Sequence, residues 1–418
     1  MFVNSNVVEN AFGFFCFRAF LCVLEVWEMR IAGIEKELSE IERRGNLRSV
    51  SDLRMVSATR GVDRSGKEYV VFSSNNYLGL THEKSVVEAA RDAACLGTGS
   101  TGSRLTSGSS FELSELEKAI AAFKHTQSAL VFNTGYMTNL GVLYALADKS
   151  SVVFSDRLNH ASIIDGCRIS GAKVVVYEHN DMKDLARLLE ETEVPSGGQR
   201  FVVTDGVFSM DGDIVDLPGL LELKKKHGFC LIVDDAHALG VIGKTGRGTS
   251  EHFGIESGID VQIGTLSKAL AAEGGYAACS DEIRKYLLNK SRPFIFSTSL
   301  PPMVAAAASK ALSILSSDGG KYMERLRANT ELMRGLLEKS GLPVVGGTTP
   351  IIPILTGDSE KALSFSSQCR SRGVMLCAIR PPSVPEGTSR IRLTVTAAHT
   401  TEEIEESAAI MKEIWRKI

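Results

Sequence analysis

Seven short runs of apolar, mostly β-branched residues punctuate the middle of the chain, at 129–132, 152–154, 174–177, 201–204, 230–233, 261–264 and 276–279. Stretches of helical character separate them. Near-continuous apolar strands alternating with helices predict an α/β chain with a largely parallel sheet covered on both faces. In such a sheet, functional side chains stand just past the carboxyl ends of the strands, where a crevice opens. After Pro301-Pro302 the pattern becomes more helical. Residues 305–316 and 322–340 read as two helices, and 351–355 and 391–395 as strands. A last helix opens on the capping box Thr400-Thr-Glu-Glu403. Its apolar face is Ile404, Met411, Ile414, Trp415 and Ile418, and acid leads base along it, as the helix dipole favours. The expected organisation is an N-terminal segment over 29–74, a large domain over 75–302 and a smaller α+β domain over 303–418.

The first 28 residues follow another pattern. Residues 11–27 are rich in Phe, Leu, Val and Cys, interrupted by Arg18 and Glu25. With no basic start and no small-residue cleavage site, the stretch is a poor secretory signal, and its charges make it a poor membrane span. From Met29 an ordinary charged helix begins. The preferred reading makes Met29 the natural start and residues 1–28 an upstream translation artefact. A membrane-associating or targeting extension is the open alternative.

Composition narrows the function classes. With 418 residues, 44% apolar, 23% charged and a net charge of −3, the chain has a soluble globular profile and no basic excess to suggest nucleic acid. Its eight cysteines are scattered without a C-x-x-C pair. They read as reduced, mostly interior thiols in a reducing, cytoplasmic setting. His, Cys and Glu spacings suggest no metal site.

Candidate chemistry gathers at predicted strand ends. The run at 230–233 leads into Asp234-Asp235-Ala236-His237. The plain reading is a turn aspartate and a surface histidine. The chemical one is a carboxylate that keeps a pyridine nitrogen protonated, so that the ring becomes an electron sink, with His237 near the ring's 3-oxygen. Some thirty residues on, Gly264-Thr-Leu-Ser-Lys268 follows another strand. Lys268 is either a solvated lysine or an amine whose pKa is lowered so that it can form an imine. Thr265 and Ser267 offer hydroxyls to a phosphate. Asn133-Thr-Gly135-Tyr136 opens a helix after the strand ending at Phe132, and a helix N-terminus suits a phosphate. His160, past a further strand, is either structural or a ring that stacks on a cofactor and moves protons. Two segments are set aside: 240–248 carries Gly-Lys-Thr without P-loop spacing, and 97–110, with Arg104, is an active-site border or a flexible turn.

Assembled, these segments resemble the α-oxoamine synthases, a fold-type-I pyridoxal-phosphate family with the aspartate aminotransferase-like fold. The resemblance runs from about Leu47 to the C-terminus, through Ser73-Ser-Asn-Asn-Tyr-Leu-Gly-Leu80, 133–141, 156–162, Asp205-Gly-Val-Phe-Ser-Met-Asp-Gly-Asp213, 233–240 and 264–275. Ile379-Arg-Pro-Pro-Ser-Val-Pro-Glu-Gly-Thr-Ser-Arg-Ile-Arg-Leu-Thr394 is most similar to the branch that joins L-alanine to a pimeloyl thioester in biotin synthesis. The resemblance implies pyridoxal 5′-phosphate carried by Lys268 as a Schiff base and paired through its ring nitrogen with Asp234. It places His237 and Ser209 near the 3-oxygen, stacks His160 on the ring, and puts Thr265, Gly135 and Tyr136 on the phosphate. Freed Lys268 would be the general base. Asn75 and Arg380 would face the amino-acid carboxylate. Ser383, where the family usually has Thr, would touch substrate, as would Arg54 or its rival Arg48. Ser297-Thr298 resembles a segment that reaches the partner's phosphate, implying a homodimer with shared sites. The acyl carrier, CoA or carrier protein, stays open. The alternatives are glycine with acetyl-CoA, an aminotransferase of the same fold, and a catalytically silent subunit.

Overall fold

The computed structural model describes residues 33–255, 257–381 and 383–418. The 1–28 extension, the Met29 start, Cys16 and Cys22 lie outside the described residues. Contacts divide the chain at Ser51/Asp52. The first unit carries the helix Ile34–Arg43, in which Arg43 and Arg44 both pair with Glu40.

In the second unit all seven apolar runs are strands of one sheet: β1 (Ser128–Phe132), β2 (Val152–Asp156), β3 (Lys173–Tyr177), β4 (Arg200–Asp205), β5 (Cys230–Asp234), β6 (Val261–Thr265) and β7 (Gly275–Cys279). Their spatial order is β1-β7-β6-β5-β4-β2-β3. β2 through β6 run parallel, and β7 is antiparallel to both of its neighbours. Alternate residues feed two separate cores. Val153, Phe201, Val203, Ile232 and Ile263 pack on one face, and Val152, Phe154, Val202, Leu231 and Val233 on the other. Burial on both faces is why these strands, the exposed edge strand β3 apart, are apolar throughout rather than alternating.

A smaller antiparallel sheet orders Ile351–Gly357, Ser389–Thr394 and Cys377–Ile379. Its core of Ile352, Ile354, Ile391 and Leu393 packs with Phe365 and Met411 from two helices. The capping box forms as expected: Thr400 Oγ1 accepts from the Glu403 N–H, and Glu403 accepts from the Thr400 N–H, both at 3.2 Å. That helix stops at Trp415, so Ile418 is exposed instead of continuing the apolar face.

One expectation is corrected. Residues 305–316 and 322–340 are not two helices but parts of a single 38-residue helix, Pro302–Lys339. The Ser-Ser-Asp-Gly-Gly stretch does not break it. Ser316 and Ser317 turn their hydroxyls back onto the Leu312 and Ser313 carbonyls, and Gly319 lies buried against Leu315. Among the six described cysteines, all free, three are buried, two half-buried and Cys95 exposed. No helix among the described residues is long and apolar enough to cross a membrane.

Candidate active site

Four strand ends deliver the chemistry: β2 ends on Asp156, β4 on Asp205, β5 on Asp234 and β6 on Thr265. Beyond them lies a pocket of about 220 Å³. It brings together Gly135, Tyr136, His160, Asp234, His237, Thr265 and Lys268, seven of the expected site residues.

Asp234 is buried. One carboxylate oxygen accepts from the Ala236 N–H at 2.9 Å, the other from Asn139 Nδ2 at 2.6 Å. Asn139 stands one turn into the helix Gly135–Leu146, below its N-terminus. Its amide also donates to Ser162 Oγ at 2.9 Å, while its Oδ1 is buried without a partner. Ser162 Oγ in turn lies 2.7 Å from His160 Nδ1, and the Ser162 N–H points at the same nitrogen from 3.3 Å. With both donors aimed at Nδ1, a neutral His160 carries its proton on Nε2. Burial, only partly offset by the charge of Asp234, lowers the pKa of this imidazole.

Register sets Asp205 beside Asp234 on neighbouring parallel strands. Burial, reinforced by the charge of Asp234, drives the Asp205 carboxyl well above the usual range. Asp205 also anchors the His160 backbone, whose N–H it accepts at 2.8 Å. His237 meets the Tyr77 hydroxyl through Nδ1 at 2.6 Å. Burial, with the nearby charges of Lys268 and Arg392, holds His237 well below its ordinary pKa. Lys268 is lowered too, by burial against the opposing pull of Asp234 and Asp205. A buried amine with a depressed pKa can act as nucleophile and as base at neutral pH.

The remaining wall is polar and tight. Thr134 caps its helix by accepting the Met137 N–H at 3.0 Å. The first turn leaves N–H groups without intrahelical acceptors, which suits an anion. Gly135 lies so close to Thr265 that a Cβ there would meet its side chain at 3.3 Å. Thr265 Oγ1 donates to the Gly274 carbonyl at 2.9 Å and stands 2.7 Å from Ser267 Oγ. Tyr136 turns its ring edge toward His160 and bonds Asp165 through its hydroxyl.

Arg392 was not among the expected residues; it lines neither pocket, but its charge bears on His237 and Lys268. Its buried side chain donates from Nε to the Ser209 carbonyl at 2.5 Å and from Nη1 to Thr394 Oγ1 at 2.9 Å. Nη2 is buried with no partner. The signal was present: Arg390 and Arg392 alternate within the strand Ser389–Thr394, so both face away from the small-domain core. Asn139, Ser162, Asp205 and Tyr77 were likewise read past, although each lies inside a segment already singled out.

Other expected residues stand back from the pocket. Ser209 contributes its carbonyl to Arg392. Asn75 Oδ1 lies 3.5 Å from the Tyr77 hydroxyl that bonds His237. Arg380 follows the strand Cys377–Ile379 and lines neither this pocket nor the one described next. Ser383 lines a second pocket of about 670 Å³ with Phe208, Met210, Val384 and Pro385. Asn159, the chain neighbour of His160, also lines it, so the two pockets share that loop. Arg54 is exposed in the strand Arg54–Met55. Thr298 is exposed, with its carbonyl on Asn133 Nδ2 and a bridge to Ser103. Arg104 of the 97–110 loop is buried and bonded to Glu117 at 2.8 Å, so this part of the segment is not a loose turn.

Residues 67–410 match the family model of aminotransferase class I and II, and the chain belongs to that family. The relatives are more particular. The 8-amino-7-oxononanoate synthase of Trichlorobacter lovleyi is 44% identical over 92% of this chain and 98% of its own length. That of Geobacter sulfurreducens is 46% identical with the same coverages. A solved structure of serine palmitoyltransferase from S. paucimobilis, with a bound PLP–myriocin aldimine, superposes with a TM-score of 0.86 at 33% identity, covering 92% of this chain and 97% of that one.

Proposed function

We propose that the chain condenses L-alanine with a pimeloyl thioester, releasing carbon dioxide and the free thiol carrier, to give 8-amino-7-oxononanoate for biotin synthesis. The carrier is CoA or an acyl carrier protein, and the setting is the cytoplasm. The observation that carries the reading is a half-buried, pKa-lowered Lys268 in one pocket with buried Asp234, under a helix N-terminus. Near-full-length similarity to named synthases supports the substrate assignment.

The residues fit pyridoxal 5′-phosphate. The Gly135–Tyr136 helix end and Thr265 suit its phosphate, Asp234 its ring nitrogen, and His237 its 3-oxygen. Lys268 suits its aldehyde. When bound, the cofactor supplies the electron sink for carbanion chemistry at the alanine α-carbon. The chain's own groups do the rest. Asn139 fixes the Asp234 carboxylate in place. Lys268, its charge disfavoured by burial, takes the α-proton. Arg392 offers its unpartnered Nη2 to the alanine carboxylate, the role for which Arg380 is the other candidate. His160, held as the Nε2–H tautomer, donates a hydrogen bond to the reacting carbonyl. Ser383 and the apolar wall of the larger pocket receive the acyl chain. Thr298 and Arg54 belong to the shared edge of a homodimer.

The test is thiol release. With pyridoxal phosphate bound, the enzyme should free thiol from pimeloyl-CoA or pimeloyl-carrier protein only when L-alanine is supplied. Lys268→Ala should abolish both the release and the borohydride-reducible visible band. Faster turnover of glycine with acetyl-CoA would transfer the chain to that branch. An amino form of the cofactor produced by an amino donor alone would make it an aminotransferase.

A further inference from the structure

His179 and Asn180 line neither pocket and follow β3, the edge strand of the sheet. Nevertheless each binds two loops at once. His179 Nδ1 lies 3.0 Å from Asp156 Oδ1, and Nε2 lies 2.9 Å from Asp213 Oδ2. A carboxylate only accepts, so both ring nitrogens donate and the ring is an imidazolium. Burial works against that charge, but the two carboxylates outweigh it and raise the pKa to about 10. The Phe208 ring packs edge-on at 4.4 Å.

Asn180 repeats the arrangement in neutral form. Its backbone is left-handed, at φ 54°. Its N–H donates to Asp156 Oδ2 at 2.8 Å. Its side chain accepts the Asp216 N–H at 2.8 Å and donates to the Ile214 carbonyl at 3.1 Å. Asp156 Oδ1 also takes the Leu158 N–H at 2.8 Å, which fixes the turn leading to His160. On the other side, Phe208 and Gly212 close their loop on themselves, through bonds to Asp213 and Phe208.

The loop 156–160 and the loop 206–216 are therefore joined through one dipeptide. The first supplies Leu158 and Asn159 to the larger pocket, the second Phe208, Met210 and Asp211. We propose that His179 and Asn180 are positioning residues that set the spacing of these two loops, and with it the width of the pocket that takes the acyl thioester. The inference rests on the substrate reading above for its kinetic consequence, but not for its structural one.

The experiment compares holoenzyme with His179→Gln, which removes the charge and one donor, and with Asn180→Gly, which keeps the backbone conformation and removes both side-chain bonds. Hydrogen exchange should accelerate in 156–160 and 206–216 while the β4 to β6 strands keep their protection. The KM for pimeloyl-CoA should rise about tenfold or more, since ångström-scale misplacement has effects of that order. The kcat should fall by less than the KM rises, and the cofactor band should stay near wild type. Should His179→Gln not fold, Asn180→Gly decides alone. Unchanged exchange in both loops, or a loss of melting temperature with KM unmoved, overturns the proposal. A wild-type enzyme that releases no thiol from pimeloyl-CoA sinks the substrate reading, while the exchange arm still decides the positioning role.

Discussion

Replacing Gly275 by alanine should damage cofactor binding from outside the pocket. Gly275 opens β7, paired with Thr265 of β6 and with Phe132 of β1. A Cβ at this position would lie 2.5 Å from Thr138 Oγ1, 2.6 Å from Gly135 Cα and 2.7 Å from Gly135 N. Carbon contacts are comfortable only from about 3.5 Å, so the start of the phosphate-side helix must retreat by most of an ångström. Two of the three obstructing atoms are backbone, and no rotamer change relieves them. Overpacking of this kind costs about 1–3 kcal/mol, and the backbone clash argues for the upper half of that range. Expressed as affinity for pyridoxal phosphate, that is a loss of about thirtyfold to 150-fold. Gly135→Ala is the control: its Cβ meets only the Thr265 side chain, at 3.3 Å, which a few tenths of an ångström relieve while the N–H is kept. The assay is titration of the apoenzyme with pyridoxal phosphate by visible absorbance, with melting curves in its presence and absence. Binding by Gly275→Ala within about twofold of wild type, or a worse result for Gly135→Ala, would refute the reasoning.

Two further outcomes follow from buried charge. Arg392→Gln removes the cation whose Nη2 has no protein partner. A hydrogen bond to a charged group is worth about 1.5–3 kcal/mol, so the KM for L-alanine should rise at least tenfold, and an unchanged KM in steady-state assays would exclude the carboxylate role. His179 has a folded-state pKa raised to about 10 by Asp156 and Asp213, with the Arg157–Glu178 pair beside it. Its contribution is therefore complete below the unfolded value near 6.5 and fades as pH rises through about 10. The urea-midpoint gap between wild type and His179→Gln should narrow from pH 6 to pH 10.5; a constant gap would show that the charge does not act.

Six of the seven strands could be read from sequence because burial on both faces leaves no polar alternation to confuse them; the edge strand β3 exposes Val174 and Val176 and was legible from its β-branched run alone. Lys268, Asp234 and His237 were legible for a related reason, since polar residues directly after such strands have few places to go except the crevice. The long helix was not, because Ser and Gly propensities are local, whereas the face carrying Leu315, Gly319 and Met323 lies against the distant loop at Thr245 and Gly246. Arg392 and Arg380 sit in the same motif with no local feature to separate them. The antiparallel register pairs Arg392 with Cys377 and sets it on the loop carrying Ser209, whereas Arg380 lies just past the paired strand. Asn139, Tyr77 and His179 act through partners far away in the chain, at separations that no spacing rule covers.

The arrangement also explains how one pocket holds so many ionisable groups without repelling itself. Two carboxyls at the same register on adjacent strands disfavour each other's charge in a buried site, and the Asp205 carboxyl is driven well above its usual range by burial and by the charge of Asp234. His160 and His237 resolve their side by staying neutral, each with Nδ1 already engaged by Ser162 or Tyr77. Lys268 is shifted in the same direction by the same burial. What remains fixed is an acid held by Asn139, the Arg392 guanidinium whose charge bears on His237 and Lys268, and an anion-seeking helix end at Gly135. An occupant that suits this field needs a basic ring nitrogen, a phosphate and a carboxylate-bearing amine together. Taking away the charge at Arg392 leaves the first two demands intact, which is why its loss should separate amino-acid binding from cofactor binding, whereas the loss of Asp234 should affect both.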